Sequence, residues 1–265
     1  AYAATTRSAS VTKEKIIGTF IAKKLKERGY EPVSLLLDER YLMDPESLDG
    51  VSVTVWETVG EIVKCMGDAP IYTGSVDNIS KICGFKQSRG IVCAMKRRIL
   101  PSISEVLKGA SRICILEDVE SPANVGAIFR SAVALGIDAI ILTHGSSDPL
   151  YRRASRAGMG SMFMIPWTFA GSKYGGWPED GMKEIRDNGF ETVAMALSDR
   201  DVTLDDPVLS GIDKLAILLG NEDAGLKKET LDLCDHIAKI PMMHGMDSLN
   251  VAAASAVTFW ELRKR

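Results

Sequence analysis

Residues 215–226 read LAILLGNEDAGL, an apolar run that ends in two glycines around an acidic tip. Five consecutive apolar residues predict a strand that is buried on both faces. Gly220 is where that strand would give way to a loop. The later segments IPM at 240–242 and SLNV at 248–251 also place polar residues beside apolar ones. Polar side chains at the ends of buried strands are typical of a ligand crevice, so one stretch predicts both the fold and the site.

The rest of the C-terminal half alternates apolar runs with helical patterns. We predict buried strands at 113–116, 139–142, 162–165, 192–196, 215–219 and 237–240. Most of them are separated by helical periodicity at 124–135, 180–188, 226–233 and 249–263. This alternation predicts an α/β fold with a parallel sheet and helices on both faces. Ligands of such sheets bind outside the carboxyl ends of the strands.

The N-terminal part predicts a smaller α/β unit. Its expected elements are a helix over Ser10–Arg28, strands over 33–37, 51–55 and 91–95, and a helix that Thr58 caps and that runs to Met66. The expected domain boundaries are 1–29 for a tail and helix, 30–100 for the small domain, 101–111 for a linker and 112–265 for the larger domain.

The composition excludes several classes of protein. The net charge of −3 means that a nucleic-acid site must come from local basic clusters. The odd number of scattered cysteines, 5, and the 3 histidines without ligand spacing predict a reducing, cytoplasmic setting without disulfides or a metal site. No apolar run reaches the ~20 residues of a membrane span. No apolar signal core follows the first residues, so no secretory signal is expected. The first residue is not Met, which predicts a truncated or processed start.

Three segments carry candidate chemistry. In NVGAIFRSA at 124–132, Asn124 is expected to cap a helix, and Arg130 lies nearly two turns further on among apolar neighbours, so it should face a crevice or a partner. In GNEDAGL at 220–226, Glu222 or Asp223 could serve a helix N-terminus or catalysis. In DSLNV at 247–251, a polar residue would cap a helix rich in small residues. Taken singly, each segment also fits a capped helix or a tight turn.

Basic residues form a fourth candidate feature. Arg152, Arg153 and Arg156 share one segment beside the expected crevice, and Arg97 and Arg98 follow the third strand of the small unit. These residues could contact phosphates, or they could form an ordinary solvated helix face.

Taken together and in this order, the segments resemble the SpoU/TrmH family of RNA ribose 2′-O-methyltransferases, part of the SPOUT superfamily with its trefoil-knotted fold. The match covers about residues 112–265 and includes RAGMGS at 156–161. In one departure, His244 stands where the third family motif has Gly. Residues 30–98 resemble, more loosely, the ribosomal-protein-like substrate-binding domain that often precedes the catalytic domain.

The resemblance implies a function, and the following are its expectations. S-adenosyl-L-methionine (AdoMet) would be held in the knot, largely by backbone groups around Met195, Leu197, Gly220, Ile240 and Leu249. Arg130 would be the central catalytic residue, with Asn124, Glu222, Ser248 and Asn250 around it. The substrate would be RNA, rRNA favoured over tRNA, and the enzyme would be a homodimer that needs no metal. Two alternatives stay open, a non-catalytic RNA-binding or ribosome-assembly protein and an RNA base methyltransferase.

Overall fold

The computed structural model describes residues 2–4, 29–43, 53–86, 90–171, 175–198 and 201–264. The chain divides into two compact units, Ala1–Ile99 and Leu100–Arg265. The first contains a four-stranded sheet and the second a seven-stranded sheet. Both units combine strands with helices, so the predicted α/β class is confirmed.

The first unit is a small sheet with helices packed on it. Its elements are β1 Tyr2–Ala4, β2 Glu31–Asp38, α1 Val53–Met66, β3 Ile71–Gly74, α2 Val76–Cys83 and β4 Ile91–Lys96. The strand order is β1-β4-β2-β3, in which β2 runs parallel to β3 and antiparallel to β4. Leu35 and Leu37 of β2 form a core with Val59 and Met66 of α1.

Two predictions for this unit are wrong. Residues 53–55 belong to α1 and not to a strand, and Thr58 lies inside that helix, so it is not the N-cap. Alternating Val and Thr favour a strand locally. Packing of the later residues of α1 on β2 overrides that weak preference. Residues 51–52 and the helix predicted over Ser10–Arg28 lie outside the described residues.

The second unit is a parallel sheet with helices between its strands. The strands are β5 Arg112–Leu116, β6 Ala139–Leu142, β7 Trp167–Phe169, β8 Glu191–Met195, β9 Val202–Thr203, β10 Leu215–Leu219 and β11 His236–Lys239. The helices are α3 Ile103–Leu107, α4 Pro122–Ala134, α5 Arg152–Gly158, α6 Glu179–Asp187, α7 Pro207–Ser210, α8 Lys228–Leu233 and α9 Val251–Leu262.

The sheet order of this unit is β7-β6-β5-β10-β8-β11-β9, and every pairing is parallel. All residues of β5, β6 and β10 are buried, because these central strands are covered on both faces. The unbroken apolar runs 113–116, 139–142 and 215–219 are therefore a direct consequence of their place in the sheet. Arg112, at the start of β5, is also buried, and its guanidinium donates to the backbone carbonyls of Leu262, Ile212 and Asp213. No helix in the described part of the chain is long and apolar enough to cross a membrane.

Two further predictions need correction here. The apolar residues 162–165 do not form a strand. Residues 162 and 163 lie in a 3-10 turn, Ser161–Phe163. The strand of this region begins later, at Trp167, and is β7. Met162 and Phe163 are buried in that turn, and an apolar run by itself does not distinguish a buried turn from a strand. The expected linker 101–111 contains α3, whose apolar residues join the core of the second unit.

The helix α4 begins differently from the prediction. Ser121 is its N-cap, with the side-chain oxygen accepting from the Asn124 backbone N–H at 3.4 Å, and Pro122 occupies the first turn. Pro is well suited there because its missing N–H has no partner to lose. Asn124 is therefore not the cap, and its side chain is available for contacts outside the helix.

Close packing of α4 against α5 depends on glycine. A Cβ placed on Gly126 would lie 2.2 Å from the Ala154 carbonyl oxygen and 2.9 Å from the Gly158 nitrogen. Both of these are backbone atoms of α5, so neither can move aside without moving the helix. The contact fixes the position of α5 relative to the helix that carries Asn124 and Arg130.

We expect Gly126→Ala to lower the free energy of unfolding by about 2 kcal/mol, because overpacking against backbone outweighs the gain in helix propensity. Gly60→Ala is the matched control, since Gly60 lies in α1 with nothing within 4 Å of an added Cβ. That control should be neutral or stabilise by about 0.5–1 kcal/mol. Urea unfolding followed by circular dichroism compares the two, and equal stability of both variants would contradict the packing argument.

Candidate active site

The carboxyl ends of β5 and β10 meet in the middle of the sheet. From β5 the chain continues to β6 on one side, and from β10 to β11 on the other. Such a switch point leaves a crevice between the two following loops. We call residues 117–121 the β5 loop and residues 220–227 the β10 loop. They are joined directly, since the Asn221 side-chain amide donates to the Asp118 carbonyl at 2.8 Å.

Glu222 binds the N-terminus of α4. Its carboxylate accepts hydrogen bonds from the backbone N–H groups of Glu120 at 3.2 Å and Ser121 at 3.1 Å, and from the Asn124 side-chain Nδ2 at 2.8 Å. The sequence predicted that an acidic residue here could serve a helix N-terminus. The structure shows that the helix is α4 and not α8, the helix that follows in sequence.

The same contacts set the charge state of Glu222. Burial by itself would raise the pKa of this carboxyl. The hydrogen bonds from Asn124 and from the backbone outweigh burial, and the net pKa is lowered. The unpaired N–H groups and the dipole at a helix N-terminus favour a negative charge in the same way. Glu222 is thus a carboxylate at neutral pH and acts as a fixed acceptor.

Asn250 brings the third segment to this cluster. Its Oδ1 accepts from the Ala252 N–H at 2.9 Å, which caps α9 as the sequence predicted for this segment, and its Nδ2 donates to Asn124 Oδ1 at 3.3 Å. Because a carboxylate only accepts, Asn124 must direct Nδ2 to Glu222 and Oδ1 to Asn250. Asn124, Glu222 and Asn250 therefore form one chain of hydrogen bonds, which we call the polar triad.

Glycine allows the β10 loop to fold back on itself. A Cβ on Gly220 would lie 2.3 Å from the Gly225 carbonyl carbon, and Asn221 and Gly225 exchange two backbone hydrogen bonds at 3.1 and 3.0 Å. The turn that these bonds close carries Glu222 at its tip. Gly220 is thus required for the shape of this turn, in addition to its expected position beside the cofactor.

Glu117 was not recognised from the sequence. Its side chain is 1% exposed, and its oxygens accept from the Lys227 N–H at 2.7 Å, the Thr230 hydroxyl at 2.5 Å and the Trp177 indole N–H at 2.6 Å. These bonds tie the end of β5 to the start of α8. The available signal was an acidic residue directly after the buried run 113–116, because a buried carboxylate has to be paired.

An ion pair closes the junction of the two loops. Asp118 Oδ2 lies 2.7 Å from Lys227 Nζ, and Asp118 Oδ1 accepts from the Thr143 hydroxyl at 2.6 Å. Burial tends to raise the pKa of Asp118, but Lys227, Thr143 and the Gly145 N–H outweigh it and lower the pKa. Asp118 in turn raises the pKa of Lys227. Asp118 also has a left-handed backbone, with φ 53°.

The ion pair between Asp118 and Lys227 should make the free energy of unfolding depend on pH, and Asp118→Asn should remove this dependence. Asn is the suitable replacement because it tolerates the left-handed backbone. Because the pKa of Asp118 is lowered in the folded protein, Asp118 stabilises the fold at pH values above its ordinary pKa of 3.8. This stabilisation is lost as the pH falls below 3.8 and through the folded pKa. Because the pKa of Lys227 is raised in the folded protein, Lys227 stabilises the fold at pH values below its ordinary pKa of 10.5. This stabilisation is lost as the pH rises through the folded pKa. The stability difference between wild type and variant should therefore be largest between these values. A difference that stays constant in urea unfolding from pH 3 to 8 would contradict the assignment.

Arg130 lies apart from the polar triad. It is exposed on α4, and no hydrogen bond or ion pair joins its guanidinium to a described residue. It lies six residues beyond Asn124, which is about 9 Å along a helix axis. Glu222 therefore binds Asn124 and the start of α4, and does not contact Arg130. The guanidinium is exposed and unpaired within the described structure, as a group that receives an anion would be.

The third-motif loop, residues 241–250, is irregular and almost wholly exposed. Ser248 is exposed and makes no hydrogen bond to the described residues. His244 and Gly245 both have left-handed backbones, with φ 57° and 73°. The position at which the resembled motif has Gly therefore keeps the backbone that Gly favours, although it carries His.

Three of the expected cofactor residues lie at the carboxyl ends of neighbouring strands. Met195 ends β8, Gly220 follows β10 and Ile240 follows β11, and these three strands are adjacent in the sheet. Leu197 and Leu249 are 62% and 42% exposed. The structure thus brings Met195, Gly220 and Ile240 to the carboxyl edge of the sheet.

The basic residues belong to different units of the chain. Arg152, Arg153 and Arg156 are exposed on α5, which packs beside α4. In the first unit Arg97 is exposed, while the Arg98 guanidinium lies over the Tyr30 ring, 6.0 Å from its centroid. The α5 residues therefore belong to the same unit as the polar triad.

The chain is similar to known proteins in both sequence and structure. The model of the SpoU rRNA Methylase family matches residues 111–260. An uncharacterized tRNA/rRNA methyltransferase from Mycobacterium tuberculosis is 32% identical over 246 residues, which are 92% of this chain and 78% of that protein. A 23S rRNA (guanosine-2′-O-)-methyltransferase from Burkholderia is 25% identical over 198 residues, which are 73% of this chain and 77% of that protein.

Among solved structures, the AdoMet-bound rRNA methyltransferase from Sinorhizobium meliloti matches with a TM-score of 0.73. The match covers 95% of this chain and 93% of that chain, at 23% sequence identity. An identity this low is evidence of a shared fold alone. Both units of the present chain therefore have counterparts in a known architecture.

Proposed function

Because this chain belongs to the SpoU rRNA methylase family and is thereby an RNA methyltransferase, we propose that it transfers a methyl group from AdoMet to a ribose 2′-hydroxyl of RNA. The observation that carries the proposal is the polar triad, in which three segments distant in sequence meet through Asn124, Glu222 and Asn250. The relative from Burkholderia, named as a guanosine-2′-O-methyltransferase of 23S rRNA, supports ribose as the acceptor and rRNA as the substrate.

The residues at the strand ends fit AdoMet. Between Ile240 and Leu249, the described residues form one backbone–backbone hydrogen bond, from Met246 N to Met243 O, so most N–H and C=O groups of this segment are open to a ligand. Leu197 and Leu249 add exposed apolar surface for an adenine ring. Bound AdoMet would supply an electrophilic methyl group on its sulfonium sulfur. No step of the proposal needs a metal.

Arg130 is proposed to act on the RNA. A hydroxyl is a weak nucleophile and must lose its proton during attack. A guanidinium stays protonated at neutral pH, so we assign Arg130 to the phosphate beside the target ribose and to the negative charge that develops on the 2′-oxygen. Its exposure and unpaired state among the described residues support this role.

The polar triad is proposed to position the reacting groups. Glu222 fixes the first turn of α4 through two backbone N–H groups and Asn124. Asn250 connects that turn to the start of α9, so one network aligns the helix with Arg130 and the segment around Leu249. Ser248, exposed in the same segment, is proposed to line the pocket between cofactor and ribose.

We also propose a homodimer with the family's trefoil knot, acting in the cytoplasm. On α9, Val257 and Trp260 are 42% and 56% exposed, and with Ala253 they form an apolar row at helical spacing. Burial of this row against a second copy would remove it from water. Sedimentation equilibrium tests the dimer, and a mass of 28.8 kDa at micromolar concentration would contradict it.

Two other functions are alternatives to ribose methylation. A non-catalytic RNA-binding protein would keep the fold without the chemistry, and a base methyltransferase would use AdoMet on another atom. The three-segment triad favours catalysis, since a binding protein has no need to hold Glu222 against Asn124 and Asn250.

Labelled methyl transfer from AdoMet to RNA of a strain lacking this protein tests the proposal. Because 2′-O-methylation removes the hydroxyl that attacks the chain in alkali, we expect label in alkali-resistant dinucleotides from rRNA. Label in alkali-labile mononucleotides would replace the proposal with base methylation. No label in either rRNA or tRNA would favour the non-catalytic protein.

A further inference from the structure

An exposed aromatic stack lies at the carboxyl edge of the sheet in the second unit. The rings of His144, which follows β6, and Phe169, which ends β7, are nearly parallel, with centroids 5.0 Å apart and an interplanar angle of 16°. His144 is exposed and Phe169 is half-buried. Phe169 covers one face of the imidazole, and the other face is the side of the ring on which a ligand could lie.

The stack is held in place from both sides. Phe169 packs edge-on against the buried Trp167, at 6.0 Å and 87°. His144 Nε2 lies 3.4 Å from the Gly171 carbonyl, a long contact in which the imidazole N–H donates. A ring fixed in this way loses little conformational freedom when a second ring stacks on it.

The stack adjoins the loop that organises the polar triad. The segment 143–147 is bound to the β5 loop by hydrogen bonds from Ser147 N to Val119 O at 2.9 Å, from Val119 N to Ser146 Oγ at 3.0 Å, and from Ser147 Oγ to the Glu120 carbonyl. The next backbone N–H after Glu120, that of Ser121, donates to Glu222. Through these bonds the position of His144 is coupled to that of the proposed active site.

Positive charge follows later in the same connection, after Asp148. The same connection leads into α5, where Arg153 and Arg156 are exposed and form no hydrogen bond or ion pair with a described residue. An exposed aromatic ring together with unpaired arginines on the segment that follows is the combination that binds single-stranded nucleic acid, because the ring stacks on a base while the arginines contact phosphates.

We propose that the open face of His144 is a stacking platform for one unpaired base of the RNA substrate, with Arg153 and Arg156 on the neighbouring phosphates. The inference rests on the proposed function, since it states how the same RNA is held. It assigns His144 to substrate binding and not to the methyl transfer itself, and it requires that the bound region of the RNA be unpaired.

The test measures binding without AdoMet, using two fluorescein-labelled RNA hairpins that differ in the loop. One loop is adenosine-rich, and the other has abasic sites at the same positions. Wild type should bind the adenosine loop more tightly, by about 5- to 150-fold, which corresponds to stacking of one base. His144→Ala should reduce this preference to near unity, and His144→Phe should keep most of it because a ring remains.

The arginines provide the matched comparison. Arg153→Ala should weaken binding of both hairpins by a similar factor and reduce the salt dependence, since phosphate contacts do not depend on the bases. Wild-type protein that binds the two hairpins equally, or not at all, would overturn the platform, as would a His144→Ala variant that keeps the preference. Failure of methyl transfer with the base preference intact would overturn the proposed function alone.

Discussion

Arg130→Ala is expected to lower kcat for methyl transfer by about 100- to 1,000-fold, the loss typical of removing a group that stabilises developing charge. Arg130 is exposed on α4 and pairs with no described carboxylate, so its loss should cost little stability. The strand-end residues expected to hold AdoMet belong to other elements. The dissociation constant for AdoMet, measured by calorimetry, should therefore change less than about threefold.

Two controls separate the role of Arg130 from general charge effects. Arg130→Lys keeps the positive charge but loses the planar fork that binds a phosphate through two N–H groups, so it should recover only a small part of the rate. Lys108→Ala removes one positive charge from the segment before β5, at the opposite edge of the sheet. That variant should keep the wild-type rate. Wild-type turnover by Arg130→Ala would refute the proposed role.

Glu222→Gln is expected to lower kcat by about 100-fold, because an amide offers its oxygen to only part of the donor set. The carboxylate accepts from two backbone N–H groups and Asn124, and a glutamine would direct its own NH₂ at one of these donors. The start of α4 should then shift, and displacement of a catalytic group by about 1 Å can cost ~100-fold. The cost in unfolding free energy should be about 1 kcal/mol, since the site is open to solvent.

Asp223→Asn is the matched control for this substitution. It removes the same charge one residue later, and no described residue is hydrogen-bonded to the Asp223 side chain. We expect it to keep wild-type kcat and stability. Equal loss of activity in both variants would show that the net charge of the β10 loop matters, and not the hydrogen bonds of Glu222.

The fold of the second unit was largely predictable because its central strands are buried on both faces. Such strands consist mostly of apolar residues, and β5, β6 and β10 were recognised from their apolar runs 113–116, 139–142 and 215–219 alone. The local sequence pattern was insufficient where buried apolar residues do not belong to an extended strand. Met162 and Phe163 are buried in a turn, and the residues of α3 looked like a linker although they belong to the core.

The candidate site was also predictable only in part. Sequence motifs named Asn124, Glu222 and Asn250, but they did not say that Glu222 would bind the first turn of α4 in preference to Arg130 or its own helix. Glu117 and Ser121 were missed, because a buried acceptor and a helix cap are defined by their partners. The stack of His144 on Phe169 joins residues 25 positions apart and has no local signal.

The sequence by itself determined the α/β class, the buried central strands, the family and the polar residues at the strand ends. Each of these follows from local order: apolar runs, small residues at turns and motif spacing. Only the tertiary structure decided which donor meets which acceptor. Asn124 and Glu222 are 98 residues apart, and Asn124 and Asn250 are 126 apart. Parallel strand pairing brings their loops to one edge, and hydrogen bonds that act over about 3 Å then select the partners.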